Sequence, residues 1–385
     1  SCTTKCFLRL KCLIETFKKI CIVTSFDPNN KTRVLVFHIG HLGDTLMILP
    51  ALQALRAYYK NAEFTLLSDK FIGANRVKAH AVFENTNYFD RYIFFPKSQK
   101  GKKIFQAISL FSVLPKLKLQ KFDSLVYLAP SNRSVQQIER DRKIFNSVGI
   151  THIIGIDGYY KLQIDSSNLP THEADLLLAR LAREGLEAPI VGQAEFDLKL
   201  GAPEKARVDE FFAAHKVARD EKIMVAFGPG SKMQSKRWAA ANFSKVGQKL
   251  IKKYDIFPVV FGGPEDYELG QMLIKSWRRG ANAAGALGVR QAAEALSRCA
   301  FYVGNDSGAM HLAAAVKTRC VAIFSARDIE GKWHPYGNGH LVFRKHIACQ
   351  ECMLEYCDHK SCLERISPLA VCRRIDKEFA DLLSV

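Results

Sequence analysis

Arg33-Val-Leu-Val-Phe-His-Ile39, followed at once by Gly40-His-Leu-Gly-Asp44, is the stretch that decides the fold. Its apolar residues run on without alternation, the pattern of a strand buried on both faces of a parallel sheet. The glycine turn leads into an apolar helix expected over Thr45 to Tyr59. Working outward, Glu63 to Leu67, Arg91 to Phe95 and Ser124 to Leu128 read as further strands, with helical stretches between them. The pattern then recurs. Strands are predicted at Lys222 to Phe227, Phe257 to Phe261, Ala300 to Val303 and Cys320 to Phe324. Helices are predicted at Ala240 to Lys253, at Glu265 to Trp277 and from about Ser307. Alternating strand and helix means α/β with parallel sheets, and two such arrays mean two Rossmann-like domains.

The expected organisation has four parts. Residues 1–30 form a basic amphipathic helix and linker, with Phe7, Leu10, Leu13, Ile14, Phe17 and Ile20 at helical spacing among lysines and arginine. Such a helix can lie in a membrane interface or pack on the protein body. Residues 31–190 form the first Rossmann-like domain and 191–365 the second. Pro189, Gly192, Gly201 and Pro203 punctuate the passage between them. Residues 366–385 form a closing helix.

At 385 residues, with 48% apolar and 24% charged content, the chain has enough material for two full cores. No apolar run reaches the length of a membrane span. Arg9, Lys11 and Glu15 interrupt the opening apolar stretch, so it does not read as a secretory signal, and the expected compartment is the cytoplasm. The net charge of +18 favours an anionic partner. Lys97, Lys100, Lys102, Lys103, Lys116, Lys118 and Lys121 fall in one stretch without an acidic residue. That stretch reads either as a solvated face or as a surface for anions. RRM, zinc-finger and KH signatures are absent from the sequence, so no nucleic-acid partner is expected.

In open parallel sheets, ligands sit beyond the carboxyl ends of the strands, and several loops there carry unusual residues. In Gly40-His-Leu-Gly-Asp44, Asp44 is either a helix cap or a carboxylate aimed into the cleft. Gly228-Pro-Gly-Ser231 and Ser235-Lys-Arg-Trp238 either offer backbone amides, the Ser231 hydroxyl and the cation of Lys236 or Arg237 to a diphosphate, or form a plain turn with surface cations. Gly304-Asn-Asp-Ser-Gly-Ala-Met-His311 opens a helix whose free amides make an anion site, capped by Asp306 or Ser307, with His311 about one turn on. In Gly262-Gly-Pro-Glu265-Asp, Glu265 either binds ribose hydroxyls or starts a helix.

Taken in order, these segments resemble glycosyltransferase family 9, the ADP-heptose:lipopolysaccharide heptosyltransferases. The likeness runs from about Arg33 to Val371. It rests on Leu42-Gly-Asp44, Pro50-Ala-Leu-Gln-Ala-Leu-Arg56, Pro229-Gly-Ser231 with Ser235 to Trp238, and Asn305 to Ala314. The resemblance implies a GT-B fold, two Rossmann-like domains facing a central cleft, with the acceptor in the first and the donor nucleotide in the second. It implies an inverting transfer that needs no metal or other cofactor. Asp44 matches the catalytic base; Ser231, Lys236, Ser307, Gly308 and His311 match donor diphosphate contacts, beside Asp306; Glu265 matches the nucleoside position. One departure stands out: Ser325-Ala-Arg-Asp328 replaces the family's Gly-Pro-Thr-Asp. Arg327 there either adds a phosphate contact or alters donor choice.

Cys349, Cys352, Cys357 and Cys362 are spaced to hold a structural zinc or iron tetrahedrally, to form disulfides, or to remain free thiols. The leading functional expectation is transfer of a heptose from ADP-heptose to an anionic glycolipid, the lipopolysaccharide core. The work would take place in the cytoplasm or peripherally on the inner membrane. The alternatives are a protein O-heptosyltransferase, a GT-B sugar-nucleotide epimerase and a non-catalytic sugar-nucleotide binder.

Overall fold

A computed structural model describes residues 32–72, 77–98, 110–164, 171–217 and 222–383. The amphipathic helix and linker expected over residues 1–30 lie outside them, as do Lys100, Lys102 and Lys103.

Two parallel sheets form. The first has strands β1 (Arg33–His38), β2 (Glu63–Ile72), β3 (Arg91–Ser98), β4 (Ser124–Tyr127) and β5 (Ile153–Ile154), in the order β3-β2-β1-β4-β5. The second has β6 (Met224–Gly228), β7 (Phe257–Val260), β8 (Ala281–Asn282), β9 (Phe301–Asn305), β10 (Arg319–Ile323) and β11 (Leu341–Phe343), in the order β11-β10-β9-β6-β7-β8. Val34 pairs with both Phe64 and Ser124, and Val225 with both Pro258 and Phe301. Strand order therefore reverses between β1 and β4 and between β6 and β9. Such reversals splay the following loops apart and open a crevice at the strand ends.

The predicted strands are all present, within a few residues at each end. The very short β5, β8 and β11 were not predicted. The helix expected over Thr45 to Tyr59 is two helices, Leu42–Met47 and Leu49–Tyr58. Pro50 sits in the first turn of the second. Lacking an N–H, it cannot continue the ladder of the first helix, so the chain restarts there.

Each sheet has an outer apolar core. Leu35, Phe37, Leu125 and Tyr127 belong to one, and Val225, Phe227, Phe301 and Val303 to the other. The inner faces share a single core, in which Val34 and Val36 are continuous with Ala226, Tyr302 and Met310. Buried polar links fasten this seam. The Arg290 guanidinium donates to Glu204 Oε1 at 2.6 Å, to the Val82 carbonyl at 3.2 Å and to the Leu198 carbonyl at 2.8 Å. Tyr336 donates to Asp175 Oδ1 at 2.7 Å and accepts from the Ala194 N–H at 3.1 Å. The last helix, Pro368–Glu378, packs on the Ala240–Tyr254 helix, held by Tyr254 donating to Asp376 at 2.8 Å. It closes the second sheet.

Candidate active site

The loop after β1 meets the loop after β9 at the seam. The helix Leu42–Met47 packs on the helix Gly308–Ala315. A Cβ on Gly43 would stand 3.0 Å from His311 Cδ2, and one on Gly308 would stand 2.9 Å from Leu42 Cδ2. A side chain at either position would crowd its neighbour, so glycine suits this close approach of the two loops.

Asp44 is the third residue of its helix, and His41 is the N-cap. Asp44 Oδ2 accepts the His41 N–H at 2.7 Å. It does not cap with its own backbone; it reaches back, as the acid of a capping box does. The cap and cleft readings are therefore compatible. The carboxylate is half-buried, and burial lifts its pKa to about 6, against the pull of the His41 hydrogen bond. Glu173 and Asp69 push the same way by like charge, and Lys236 opposes them.

Those two neighbours were not singled out from the sequence. Asp69 lies in β2 and accepts the Gly40 N–H at 3.3 Å. Glu173, 1% exposed, opens the Glu173–Ala182 helix. It accepts the Ser131 N–H at 2.7 Å and the Ser131 hydroxyl, and lies 3.5 Å from Lys332 Nζ of the second half. Ser131 belongs to the loop after β4. The β1 and β4 loops are thus braced by carboxylates, at the switch point of the first sheet.

The second half supplies the cations. Lys236 Nζ lies 2.6 Å from Asp306 and 2.8 Å from Asp328. The two carboxylates raise its pKa against the opposing effect of burial. Asp306 therefore faces Lys236 rather than capping the following helix, whose N-cap is Ser307. Ser231 donates to the Asp306 carbonyl at 3.4 Å. Asn305, fully buried, donates to the Pro229 carbonyl at 2.7 Å and accepts from the Trp238 N–H at 3.0 Å, so it pins both halves of the Pro229–Trp238 turn. His311, 4% exposed, has its pKa driven down to about 3 by burial. It is neutral at physiological pH and offers an N–H, not a charge. Ser231, Lys236, Asp306, Ser307, Gly308 and His311 are thus brought together.

Glu265 sits one loop away, exposed and paired with Lys232. Arg327 is placed beside Asp328. Its guanidinium turns inward, donating to the Leu354 carbonyl at 2.7 Å, to the Met353 carbonyl at 2.8 Å and to Asp328 at 2.7 Å. It holds Asp328 against Lys236.

The cysteine expectation is corrected. Among the described residues no three His, Cys, Asp or Glu side chains lie together so as to hold a metal ion. Cys362 is buried in the apolar core beside Leu363, Ile366 and Cys372, while Cys349 is exposed. One thiol has been taken for packing, so the tetrahedral set does not assemble. The segment does something else. The Glu355 carbonyl accepts the Ser235 N–H at 3.0 Å and the Leu354 carbonyl accepts the Ser235 hydroxyl at 2.6 Å. With the Arg327 bonds, residues 353–355 strap together the loops that carry Lys236 and Asp328.

Two Rossmann-like sheets with facing switch-point loops, a carboxylate on one side and a cation-lined helix start on the other, make up the GT-B fold. The sequence model described as glycosyltransferase family 9 (heptosyltransferase) matches residues 177–363, and over that part the chain is similar to that family. The lipooligosaccharide heptosyltransferase 2 of Campylobacter jejuni subsp. jejuni serotype O:2 is 27% identical over 342 residues, covering 85% of this chain and 92% of its own. Among solved structures, the glycosyl transferase family 9 protein of Veillonella parvula superposes with a TM-score of 0.67 at 21% identity, covering 91% of this chain and 97% of its own. The E. coli ADP-heptose lps heptosyltransferase II superposes with a TM-score of 0.64 at 19% identity, covering 91% and 98%.

Proposed function

We propose that the enzyme transfers a heptose from ADP-heptose to a lipopolysaccharide core acceptor, with inversion. One observation carries the reading: the raised-pKa Asp44 carboxylate stands across the seam from the Lys236–Asp306–His311 cluster. The names of the relatives supply the sugar and the acceptor.

The step is a single displacement. An acceptor hydroxyl oxygen bonds to the anomeric carbon as the bond from that carbon to the diphosphate oxygen breaks. The hydroxyl proton passes to Asp44, and ADP leaves with the bonding pair. With a pKa of about 6, Asp44 is mostly ionised at pH 7 yet more basic than an exposed aspartate, which suits a general base. The leaving diphosphate meets Lys236, Ser231, the first amides of the Gly308–Ala315 helix and the neutral His311. Glu265 belongs at the nucleoside end. Protein residues alone supply this chemistry. A lipid-anchored acceptor brings the enzyme to the cytoplasmic face of a membrane as a peripheral protein. No helix among the described residues is long and apolar enough to cross one.

The test is a donor screen: ADP-heptose against ADP-, GDP- and UDP-hexoses, with and without core oligosaccharide. The expected result is acceptor-dependent ADP release and a heptosylated product. Failure to transfer from ADP-heptose, or full turnover by Asp44→Asn, overturns the reading.

A further inference from the structure

Leu110, Val113 and Leu117 recur at helical spacing, each at most 8% exposed, and anchor their segment in the outer core of the first sheet. The opposite stripe, at 111, 115 and 119, faces out. On it Phe111 is 51% exposed and Leu119 is 82% exposed. Lys116, Lys118 and Lys121 stand exposed beside them. Phe111, just before a turn, and Leu119, on the Leu114–Gln120 helix, are both held in water by a segment whose other side is buried, and that buried side fixes which way they point. The sequence from Arg91 to Phe122 contains no acidic residue, so nothing in that stretch neutralises the lysines.

Phe111 also forms one wall of a groove of about 530 Å³, whose other wall is the Val135–Ser147 helix at Gln136, Glu139, Arg140, Lys143 and Ile144. Glu139 is the one acid there, and it accepts a hydrogen bond from Tyr160 at 3.0 Å. That same helix follows, through its Ser134 N-cap, the loop that carries Ser131, the residue bound to Glu173 at the cleft. The groove beside Phe111 and the loop that reaches the cleft are therefore joined through this helix.

We propose that this stripe docks the enzyme on an anionic bilayer, with Phe111 and Leu119 seated among the lipids and the lysines on their headgroups. Apolar insertion and a basic rim are two weak signals that together give firm reversible attachment. The inference rests on the proposed use of a lipid-anchored acceptor, since docking here sets the cleft beside the bilayer that presents it.

The test uses the full chain and sedimentation with phosphatidylcholine vesicles, with and without phosphatidylglycerol. Binding is expected only with phosphatidylglycerol. The combined Lys116→Gln, Lys118→Gln and Lys121→Gln variant is expected to lower partitioning about a hundredfold. The Phe111→Ser, Leu119→Ser variant is expected to lower it about tenfold. Transfer to a water-soluble core oligosaccharide should be unchanged in both. A Leu119→Trp variant should gain emission quenched by brominated lipid. Vesicle binding without that quenching overturns the proposal, since the attachment then lies elsewhere in the chain. Equal binding to neutral vesicles overturns it, as does a dimer dissolved by Leu119→Ser, which would make the stripe a self-association face. If wild-type enzyme docks but transfers no heptose, the functional reading fails and the docking surface stands.

Discussion

The two faces of the cleft handle acidic residues in opposite ways. On the first-domain face, Asp44, Asp69 and Glu173 gather around a strand switch point, and the charge of each raises the proton affinity of Asp44 or adds to its surroundings. On the second-domain face, Asp306 and Asp328 are locked to Lys236, and Asp328 also to Arg327. One face holds a carboxylate ready to take a proton. The other has its carboxylates bound to cations, fixing those cations in place. The same residue type serves reactivity on one side and positioning on the other, and only the company it keeps distinguishes the two.

The largest break in this contrast is Asp44→Asn. Turnover should fall about 10³-fold, the scale of a lost general base, while calorimetry finds ADP binding retained. The same change should stabilise the fold. A carboxyl whose folded pKa is raised stabilises the native state fully below its unfolded pKa, and that stabilisation is lost as pH rises through about 6. At pH 7 the ionised group is a net cost, so the amide should gain on the order of 1–3 kcal/mol, read as a higher midpoint in thermal melts. An unchanged or lower midpoint would contradict the electrostatic account.

Lys236→Met removes the cation from the opposite face. The buried Asp306 then loses its ion-pair partner while Asp328 keeps Arg327, a change worth about 3 kcal/mol of stability. ADP affinity should drop at least about tenfold by titration, with the loss of stability shrinking at low pH as the acids take up protons.

A pH profile sharpens the comparison further. Log kcat/KM should fall with unit slope below about pH 6, following Asp44. His311, neutral down to about pH 3, adds no inflection of its own. A His311→Asn enzyme should be slower yet keep the same acid limb; loss of that limb would reassign it.

Arg327→Lys is a smaller break. One amine cannot replace three directed hydrogen bonds, so Asp328 and Lys236 loosen. KM for the donor should rise about threefold to tenfold with kcat less affected. Smallest of all, Cys349→Ser changes an exposed thiol outside the strap bonds. Its melting midpoint and turnover should match wild type, within about 0.5 kcal/mol.

Much of the fold was legible because buried parallel strands such as Arg33 to Ile39 are continuous apolar runs. Strands of two or three residues, such as Ala281–Asn282, are too short to carry a pattern. The helix break at Ile48 was readable from Pro50 but was passed over. In the site, the loops with glycine and Asp44, Lys236 or Asp306 were visible as local motifs. Glu173 was not, because its meaning depends on Ser131 and Lys332, 42 and 159 positions away. Arg327 was visible, but its direction was not: an arginine beside a phosphate-type loop reads as a ligand contact until the carbonyls of Met353 and Leu354 are seen to claim it. Cysteine spacing suggested a metal, and the demand of the core for Cys362 decided otherwise. The lysine stretch is legible from its charge, whereas the outward turn of Phe111 and Leu119 depends on the burial of Leu110, Val113 and Leu117 beside them.

The paired glycine contacts between the halves also govern how the molecule can move. Gly43 receives the His311 ring, and Gly308 receives Leu42, so each half carries a dimple filled by the other. Studs seated in opposing dimples block sideways sliding but not lifting. Opening to admit a substrate must therefore begin as a hinge that unseats both studs at once, and reclosure returns the two halves to the same alignment each cycle.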